Sequence, residues 1–403
     1  MRVLIVTHYF YPERSRINDL AVGLSERGHE VTVYSPIPSY PEGRFYPGYG
    51  FFQGRRGKFH GMRVLRFPVI PRGSGSRVRL FIEYASAALM SSLLAPAYCR
   101  DTYDVTFVFE ASPVSVGLPA VVLKRLRSIP IVFWILDLWP DTLEAVGGIR
   151  SPFILRPVER FVRFLYDHCD RILISSNGFR AGVEKAGYRG PIDYFPNWVE
   201  AEYLAAPNSR DPLPELPEGF RIMFAGNIGE SQDFETILCA AEWLRDKDIH
   251  WLVLGDGRAA SWVRQEIARR QLAGRVHLLG RFPGSMMAPF FQQADVLLAT
   301  LRRAPAFALT APGKLQSYLA SGKPIIAAMD GEGGQMIEDA GAGFAVPASS
   351  PAKLVDCVET LYRMSADERG KLGASGRAYC EEHFDRGRLL SRLEGVLQEA
   401  VGG

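Results

Sequence analysis

Short apolar runs that stop at a polar or glycine-containing loop, each followed by a helical pattern, recur along the whole chain. In the first half they occupy residues 2–6, 30–34, 104–109, 130–135 and 171–176, with a last strand and exit loop at 193–199. In the second half they occupy residues 221–225, 251–254, 276–279, 295–299 and 325–326. Strands alternating with helices in this way build parallel sheets, so the fold class is α/β. Each loop then lands on the carboxyl edge of a sheet, where open α/β sheets bind ligands. A chain of 403 residues is long for one hydrophobic core and implies two domains of about 200 residues each. Pro207, Pro212, Pro214 and Pro217 crowd residues 205–219, an extended linker by composition, and the boundary is placed there.

The most informative loop opens residues 309–328, which read Leu-Thr-Ala-Pro-Gly-Lys-Leu-Gln-Ser-Tyr-Leu-Ala-Ser-Gly-Lys-Pro-Ile-Ile-Ala-Ala. Thr310 is placed to cap a helix whose early Pro312 costs nothing, because first-turn amides lack intrahelical partners. Gly322 supplies the stop and Pro324 forbids continuation. Leu315, Tyr318 and Leu319 share an inward face, leaving Gly313, Lys314 and Gln316 near the open end. Free amides and the helix dipole favour an anion such as phosphate, and a lysine in the first turn opposes the dipole unless something negative binds. An ordinary helix-to-strand unit with a solvated lysine accounts for the same residues.

Composition narrows the function classes. The net charge of +3 hides an asymmetry: residues 1–200 hold 25 Lys and Arg against 18 Asp and Glu, and the remainder 22 against 26. The first half is therefore the one to meet an anionic surface or acceptor. The excess is modest and no basic-aromatic motif is present, so nucleic acid is not an expected partner. Five scattered cysteines without a Cys-x-x-Cys pair indicate neither a disulfide framework nor a zinc site, which fits a cytoplasmic, reducing setting. Residues 1–6 read as a strand rather than a signal peptide, because the apolar run is short and lacks a cleavage site.

In the first half, the loop from Thr7 through His8 to Glu13 lacks Gly-x-Gly-x-x-Gly, which disfavours a nicotinamide dehydrogenase. His8 is a candidate for chemistry and equally a structural histidine. Residues 36–61 form a long loop rich in Pro, Gly and Tyr, of the kind that is functional or mobile. Asp137 and Asp141 follow the strand at 130–135; Asp141 reads as starting the next helix, whereas Asp137 is a candidate for polar work in a cleft. Arg72, Arg77 and Arg79 precede an apolar stretch at 80–95, a pattern of peripheral contact with an anionic membrane. Its Ala and Ser content also fits a core helix. With Glu83 inside it, it falls short of the roughly 20 apolar residues of a membrane span. In the second half, residues 330–335 read as a flexible acidic turn, and 351–363 and 367–401 as amphipathic closing helices.

Seven segments, in order, carry a family likeness: Tyr9-Phe10-Tyr11-Pro12-Glu13, Arg27-Gly28-His29-Glu30-Val31, Asp137-Leu138-Trp139-Pro140, Phe195-Pro196-Asn197-Trp198-Val199, Ala225-Gly226-Asn227-Ile228-Gly229, Leu254-Gly255-Asp256-Gly257 and Tyr318-Leu319-Ala320-Ser321-Gly322-Lys323-Pro324. With them the chain resembles the family-four glycosyltransferases of GT-B fold, in the bacterial polysaccharide, fucosamine transferase-like branch. The resemblance implies two Rossmann-like domains with parallel sheets facing across a cleft. It assigns residues 1–200 to acceptor binding, 201–379 to the nucleotide sugar, and 380–403 to a helix crossing back to the first domain. It implies a retaining, metal-independent transferase without a cofactor, moving a sugar from a UDP-linked donor, here an N-acetylated amino sugar. The implied acceptor is a polyprenyl-diphosphate-linked or nascent surface glycan, such as O-antigen or capsule, at the inner face of the cell membrane.

In the donor site so implied, the candidate residues are Gly226, Asn227, Ile228, Gly229, Gly255, Asp256, Phe282, Arg302, Pro312, Gly313, Lys314, Leu315 and Gln316; loop position and chemistry make Lys314, Asp137 and His8 the candidates for catalytic roles. The chain departs from the family where an arginine and a lysine usually follow the Gly226 position; Asn227 and Gln232-Asp233 stand there instead. The family's two glutamates, eight positions apart, fall on Ala308 and Gln316. A nucleotide-sugar epimerase of the same fold and a catalytically inactive glycan-assembly partner are the alternative readings.

Overall fold

The computed structural model describes residues 1–73, 76–149, 151–199 and 213–402. The chain forms two units, Met1–Pro196 with Gly387–Gly403, and Asn197–Arg386. Much of the expected linker at 205–219 lies outside the described residues, and the division falls at Pro196, ahead of it.

The first unit carries strands β1 (Arg2–Thr7), β2 (Glu30–Pro36), β3 (Arg56–Phe59), β4 (Met62–Phe67), β5 (Val105–Glu110), β6 (Ile131–Ile135), β7 (Arg171–Ile174) and β8 (Ile192–Tyr194). They form one sheet in the order β3-β4-β2-β1-β5-β6-β7-β8, parallel except for the β3–β4 pair. The chain moves outward from β1 on one side and returns to β5 on the other, so the loops after β1 and β5 flank the switch point.

Three segments here differ from expectation. The long loop at 36–61 contains β3, joined to β4 by a two-residue turn in which His60 (φ 47°) and Gly61 (φ 81°) are both left-handed, the conformation of a tight hairpin. The apolar stretch at 80–95 is the middle of a 22-residue helix, Arg77–Tyr98, begun by Ser76, whose Oγ accepts the Arg79 N–H. It is long and apolar enough to cross a membrane, contrary to the shorter reading from sequence. The single helix at 367–401 is two, Ala366–His383 and Arg386–Gly402, broken around the buried Phe384. The last of these belongs to the first unit, where Glu394 pairs with Arg27 at 2.6 Å and His29 at 2.8 Å, and Glu399 with Arg171.

The second unit holds β9 (Phe220–Ala225), β10 (Ile249–Leu254), β11 (Val276–Gly280), β12 (Val296–Thr300), β13 (Ile325–Ala328) and β14 (Gly343–Val346), all parallel, in the order β11-β10-β9-β12-β13-β14. Alternate residues feed two cores: Met223, Leu252, Leu254, Leu297 and Ile325 pack on one face, and Ile222, Phe224, Trp251, Val253 and Leu298 on the other. Burial on both faces is why these strands read as unbroken apolar runs. The supposed turn at 330–335 is instead the start of a helix, Glu332–Asp339. Gly333 and Gly334 are buried there because a Cβ on Gly333 would sit 2.4 Å from Met329 Sδ, and one on Gly334 2.9 Å from the Met329 carbonyl. These glycines serve close packing, a role local sequence cannot distinguish from turn-making.

Candidate active site

The helix anticipated around 309–328 runs Lys314–Ser321 and ends, as the glycine demands, at a left-handed Gly322 (φ 70°). Leu315, Tyr318 and Leu319 are buried as their spacing requires. Thr310 does not cap it: Gly313 holds the N-cap position, and the Thr310 hydroxyl donates back to the Ala306 carbonyl at 3.0 Å, closing the short helix Pro305–Ala308.

Tyr318 fixes this helix to the central strand. Its hydroxyl accepts the Ala225 N–H at 2.8 Å and donates to the Ala225 carbonyl at 3.2 Å, both inside the core. Lys314, one turn earlier on the helix, is thereby held beside the loop that leaves β9. Its Nζ donates to Gln232 Oε1 at 2.6 Å and lies 4.1 Å from the centre of the Phe224 ring. Among the described residues no carboxylate pairs with it, and burial lowers its pKa to about 7. A half-buried ammonium with no carboxylate partner among the described residues is a natural seat for an anion.

Backbone makes the rest of this edge. Gly226 (φ 150°) and Gly255 (φ 138°) adopt conformations open to glycine, and a Cβ on Gly255 would lie 1.9 Å from the Gly226 carbonyl oxygen. A Cβ on Gly226 would lie 3.0 Å from Lys314 Nζ. The two loops are tied together by Gly226 N–H to the Leu254 carbonyl (2.9 Å) and Ile228 N–H to the Asp256 carbonyl (2.9 Å).

Those bonds correct the expected cradle. The amides of Gly226 and Ile228 are engaged, Leu315 N–H donates to the Pro312 carbonyl at 2.9 Å, and Pro312 has no N–H. Among the described residues, Asn227, Gly229, Gly313 and Lys314 are the backbone donors of these loops that meet no protein acceptor. The side chains of Ile228 and Leu315 lie in the cores and offer no contact, and Phe282 packs 4.6 Å from Phe290. Asp256 is exposed, and one of its carboxylate oxygens accepts the Gly257 N–H. Arg302 N–H donates to the Ser231 carbonyl, and its guanidinium lies over Phe307.

Gln316 is 1% exposed, and neither Nε2 nor Oε1 has a partner among the described residues. A buried amide left in this state is destabilising unless something else completes it. It stands where the family resemblance puts a ribose contact.

The first unit's switch point is built from side chains. Glu110 ends β5 wholly buried; it accepts N–H bonds from Ser112 (3.1 Å) and Asp137 (3.3 Å). The Ser112 hydroxyl donates to Asp137 Oδ2 at 2.6 Å and accepts from Trp139 Nε1 at 3.2 Å. Burial, and after it the neighbouring Asp137 carboxyl, push Glu110 well above the carboxylate range; burial raises Asp137 too, against the Ser112 hydrogen bond. Burial thus biases both carboxyls towards their neutral, protonated form. Glu110 was not singled out from sequence, although an acid closing an otherwise apolar strand is the available signal. Asp141 starts the helix Asp141–Gly147.

His8 is buried after β1, with its Nε2 3.7 Å from Glu83, which Arg72 contacts at 2.8 Å. Its ring meets Tyr9 and Tyr84 edge-on. Burial opposes the Glu83 charge, but the neighbouring His8 ring and the bonded Arg72 guanidinium bring its pKa below the usual value. His8 is thus tied into a packed ionic network. No group of three His, Cys, Asp or Glu able to hold a metal gathers among the described residues.

Each unit is thus a doubly wound α/β sheet, and the second has an edge suited to an anion. Two family profiles match: Glycosyl transferase 4-like domain over residues 14–198 and Glycosyl transferases group 1 over residues 219–364. The chain belongs to the family-four glycosyltransferases of GT-B fold. WbjE of Pseudomonas aeruginosa, named as a glycosyltransferase, is 27% identical over 62% of this chain and 64% of its own length, a little under two thirds. WcaI of Escherichia coli K12, named as a colanic acid biosynthesis glycosyl transferase, is 23% identical over 98% of both chains. Sucrose-phosphate synthase from Thermosynechococcus elongatus shares the fold at TM-score 0.76 and 13% identity, over 99% of each chain. HepE of Anabaena, solved with UDP, does so at 0.71 and 14% identity, over 99% of this chain and 100% of its own.

Proposed function

We propose that the protein transfers an N-acetylated amino sugar from a UDP-linked donor, with retention and without a metal ion or other cofactor, to a polyprenyl-diphosphate-linked or growing surface glycan at the inner face of the cell membrane. The observation that carries this reading is the Lys314 ammonium, which meets no carboxylate among the described residues, beside Gly226 at the switch point of the second sheet. Charge develops on the departing diphosphate as the glycosidic bond breaks, and Lys314 with the amides of Asn227, Gly229 and Gly313 is positioned to stabilise it. Gln316 completes its hydrogen bonds on the ribose hydroxyls. In the first unit Asp137, oriented by Ser112, is the group proposed to meet the acceptor hydroxyl.

The UDP and UDP-glucose complexes of HepE support the donor class, and the name of WcaI supports polysaccharide assembly. A screen of UDP-, GDP- and dTDP-sugars by melting temperature tests the reading, because a ligand of the native state raises it. UDP-sugars are expected to do so, with the donor unchanged until an acceptor is added. Conversion of the donor alone would establish the epimerase instead. Ala308 and Gln316, in place of two glutamates, favour a second reading, an inactive assembly partner; failure of every nucleotide to bind would support it.

A further inference from the structure

The helix Arg77–Tyr98 has two apolar faces and only one is covered. Glu83, Ala87, Ser91 and Ala95 recur every fourth residue and are buried against the first unit, where the Tyr34 hydroxyl donates to the Ser91 carbonyl at 2.9 Å. On the opposite side Val78 (68% exposed), Phe81 (72%), Leu89 (59%) and Leu93 (64%) fall on one stripe with Ile82, Ala85 and Ala97, all facing outward. Isolated exposed apolar residues are ordinary, but an uninterrupted stripe of about 30 Å marks an interaction surface. Neighbours extend it. Ile70 is exposed and its N–H donates to Ser86 Oγ at 3.1 Å; Leu126, also exposed, precedes Arg127, whose guanidinium donates to the carbonyls of Pro96 (2.9 Å) and Cys99.

Charge selects the occupant. Residues 51–104 contain nine Arg or Lys and three acids; Glu83 is buried against His8 and Arg72, and Asp101 and Asp104 are paired with Arg63 and Arg2. Arg79 at the start of the stripe, and Arg100 and Arg127 at its end, are exposed. A second copy of the chain would bring like charges together, whereas anionic headgroups satisfy arginines at both ends of an apolar strip. The helix cannot leave to cross a bilayer, because its inner face is held by Tyr34 and, through Glu83, by Arg72.

We propose that the outer stripe of Arg77–Tyr98 is a docking surface for an anionic phospholipid bilayer, with the helix lying in the plane of the interface and Phe81, Leu89 and Leu93 inserted among the acyl chains. The proposal names the surface behind the membrane placement given above. Vesicle binding requires neither donor nor acceptor, so it and the sugar-transfer reading fail separately.

The test is co-sedimentation of the full chain with vesicles of phosphatidylcholine alone or mixed with phosphatidylglycerol. Binding to the mixed vesicles only is expected, weakening as salt is raised. Leu89→Glu/Leu93→Glu should lower the partition coefficient about tenfold or more, with circular dichroism and melting temperature unchanged. Arg79→Gln and Arg100→Gln should each lower it about fivefold. Equal binding to neutral vesicles, unaltered binding of the double glutamate variant, or a dimer by light scattering that this variant dissolves would overturn the proposal.

Discussion

The two sheets present contrasting edges. At the second unit's switch point the sequence removes side chains: Gly226 and Gly255 leave the β9 and β10 loops bare, and one lysine faces the space. At the first unit's switch point the sequence fills the edge with Glu110, Ser112, Asp137 and Trp139, bonded to one another. Bare backbone and an ammonium suit a polyanion; buried acids biased towards their neutral form suit a neutral hydroxyl. Under the proposed function, the same α/β architecture separates leaving-group chemistry from acceptor chemistry by what it leaves out in one half and packs in at the other.

The sharpest way to break that contrast is to damage one edge at a time. Lys314→Ala should lower turnover by about ten- to a thousandfold and weaken UDP binding as well, since it removes the cation from the diphosphate. Asp137→Asn should lower turnover while leaving UDP affinity as it was. Calorimetric titration with UDP beside initial-rate kinetics checks both, and equal loss of UDP affinity in the two variants would erase the distinction between edges.

Next in size is the backbone itself. Gly255→Ala sets a Cβ against the Gly226 carbonyl and forces a non-glycine residue to φ near 138°, so the second unit should lose about 3 kcal/mol or more. Urea denaturation would show this. Gly274→Ala, where a Cβ meets nothing within 4 Å, is the matched control and should be nearly silent.

A smaller effect sharpens the role of Lys314. The unfolded chain keeps the lysine proton up to the ordinary value of about 10.4, whereas burial lowers it to about 7 in the fold. Between those values the unfolded state binds more protons, so stability rises with pH across the window and levels off below about 7. A bound diphosphate restores the charge, so UDP binding at pH 8.5 should take up as much as one proton. Affinity should fall by as much as about tenfold per pH unit above 7. Titrations in buffers of different ionisation enthalpy measure the uptake, which Lys314→Ala should abolish.

Legibility in the sequence followed how local each cause is. The strands and the organising helix were readable because unbroken apolar runs and a left-handed glycine act within a few residues. The β3–β4 hairpin was hidden inside a loop-like composition, with His60-Gly61 as its only turn signal. The helix at Glu332–Asp339 was missed because Gly333 and Gly334 are there for Met329 and Pro312, contacts that form only once the chain has folded. At the site, Lys314 and Gly226 were visible from residue type and position. Which amides remain available, and that the Glu110 carboxylate accepts the Asp137 N–H, depend on contacts between segments distant in sequence.

The smallest predicted change bears on whether the second unit's edge is built for a ligand or merely tolerates a defect. Gln316 is buried with both amide atoms unpartnered, a cost of about 1–3 kcal/mol for each such group. Gln316→Leu keeps the approximate volume and removes the orphaned polarity, so the unliganded protein should gain about 1 kcal/mol and melt about 2–4 °C higher. If the amide exists to be completed by the donor's ribose, the same variant must bind UDP more weakly, and the stabilisation that UDP confers on melting should shrink correspondingly. A variant that melts higher and binds UDP as before would make Gln316 a packing imperfection. The donor would then be held by Lys314 and the backbone alone, and the second edge would contain still less side-chain chemistry than its contrast with the first implies.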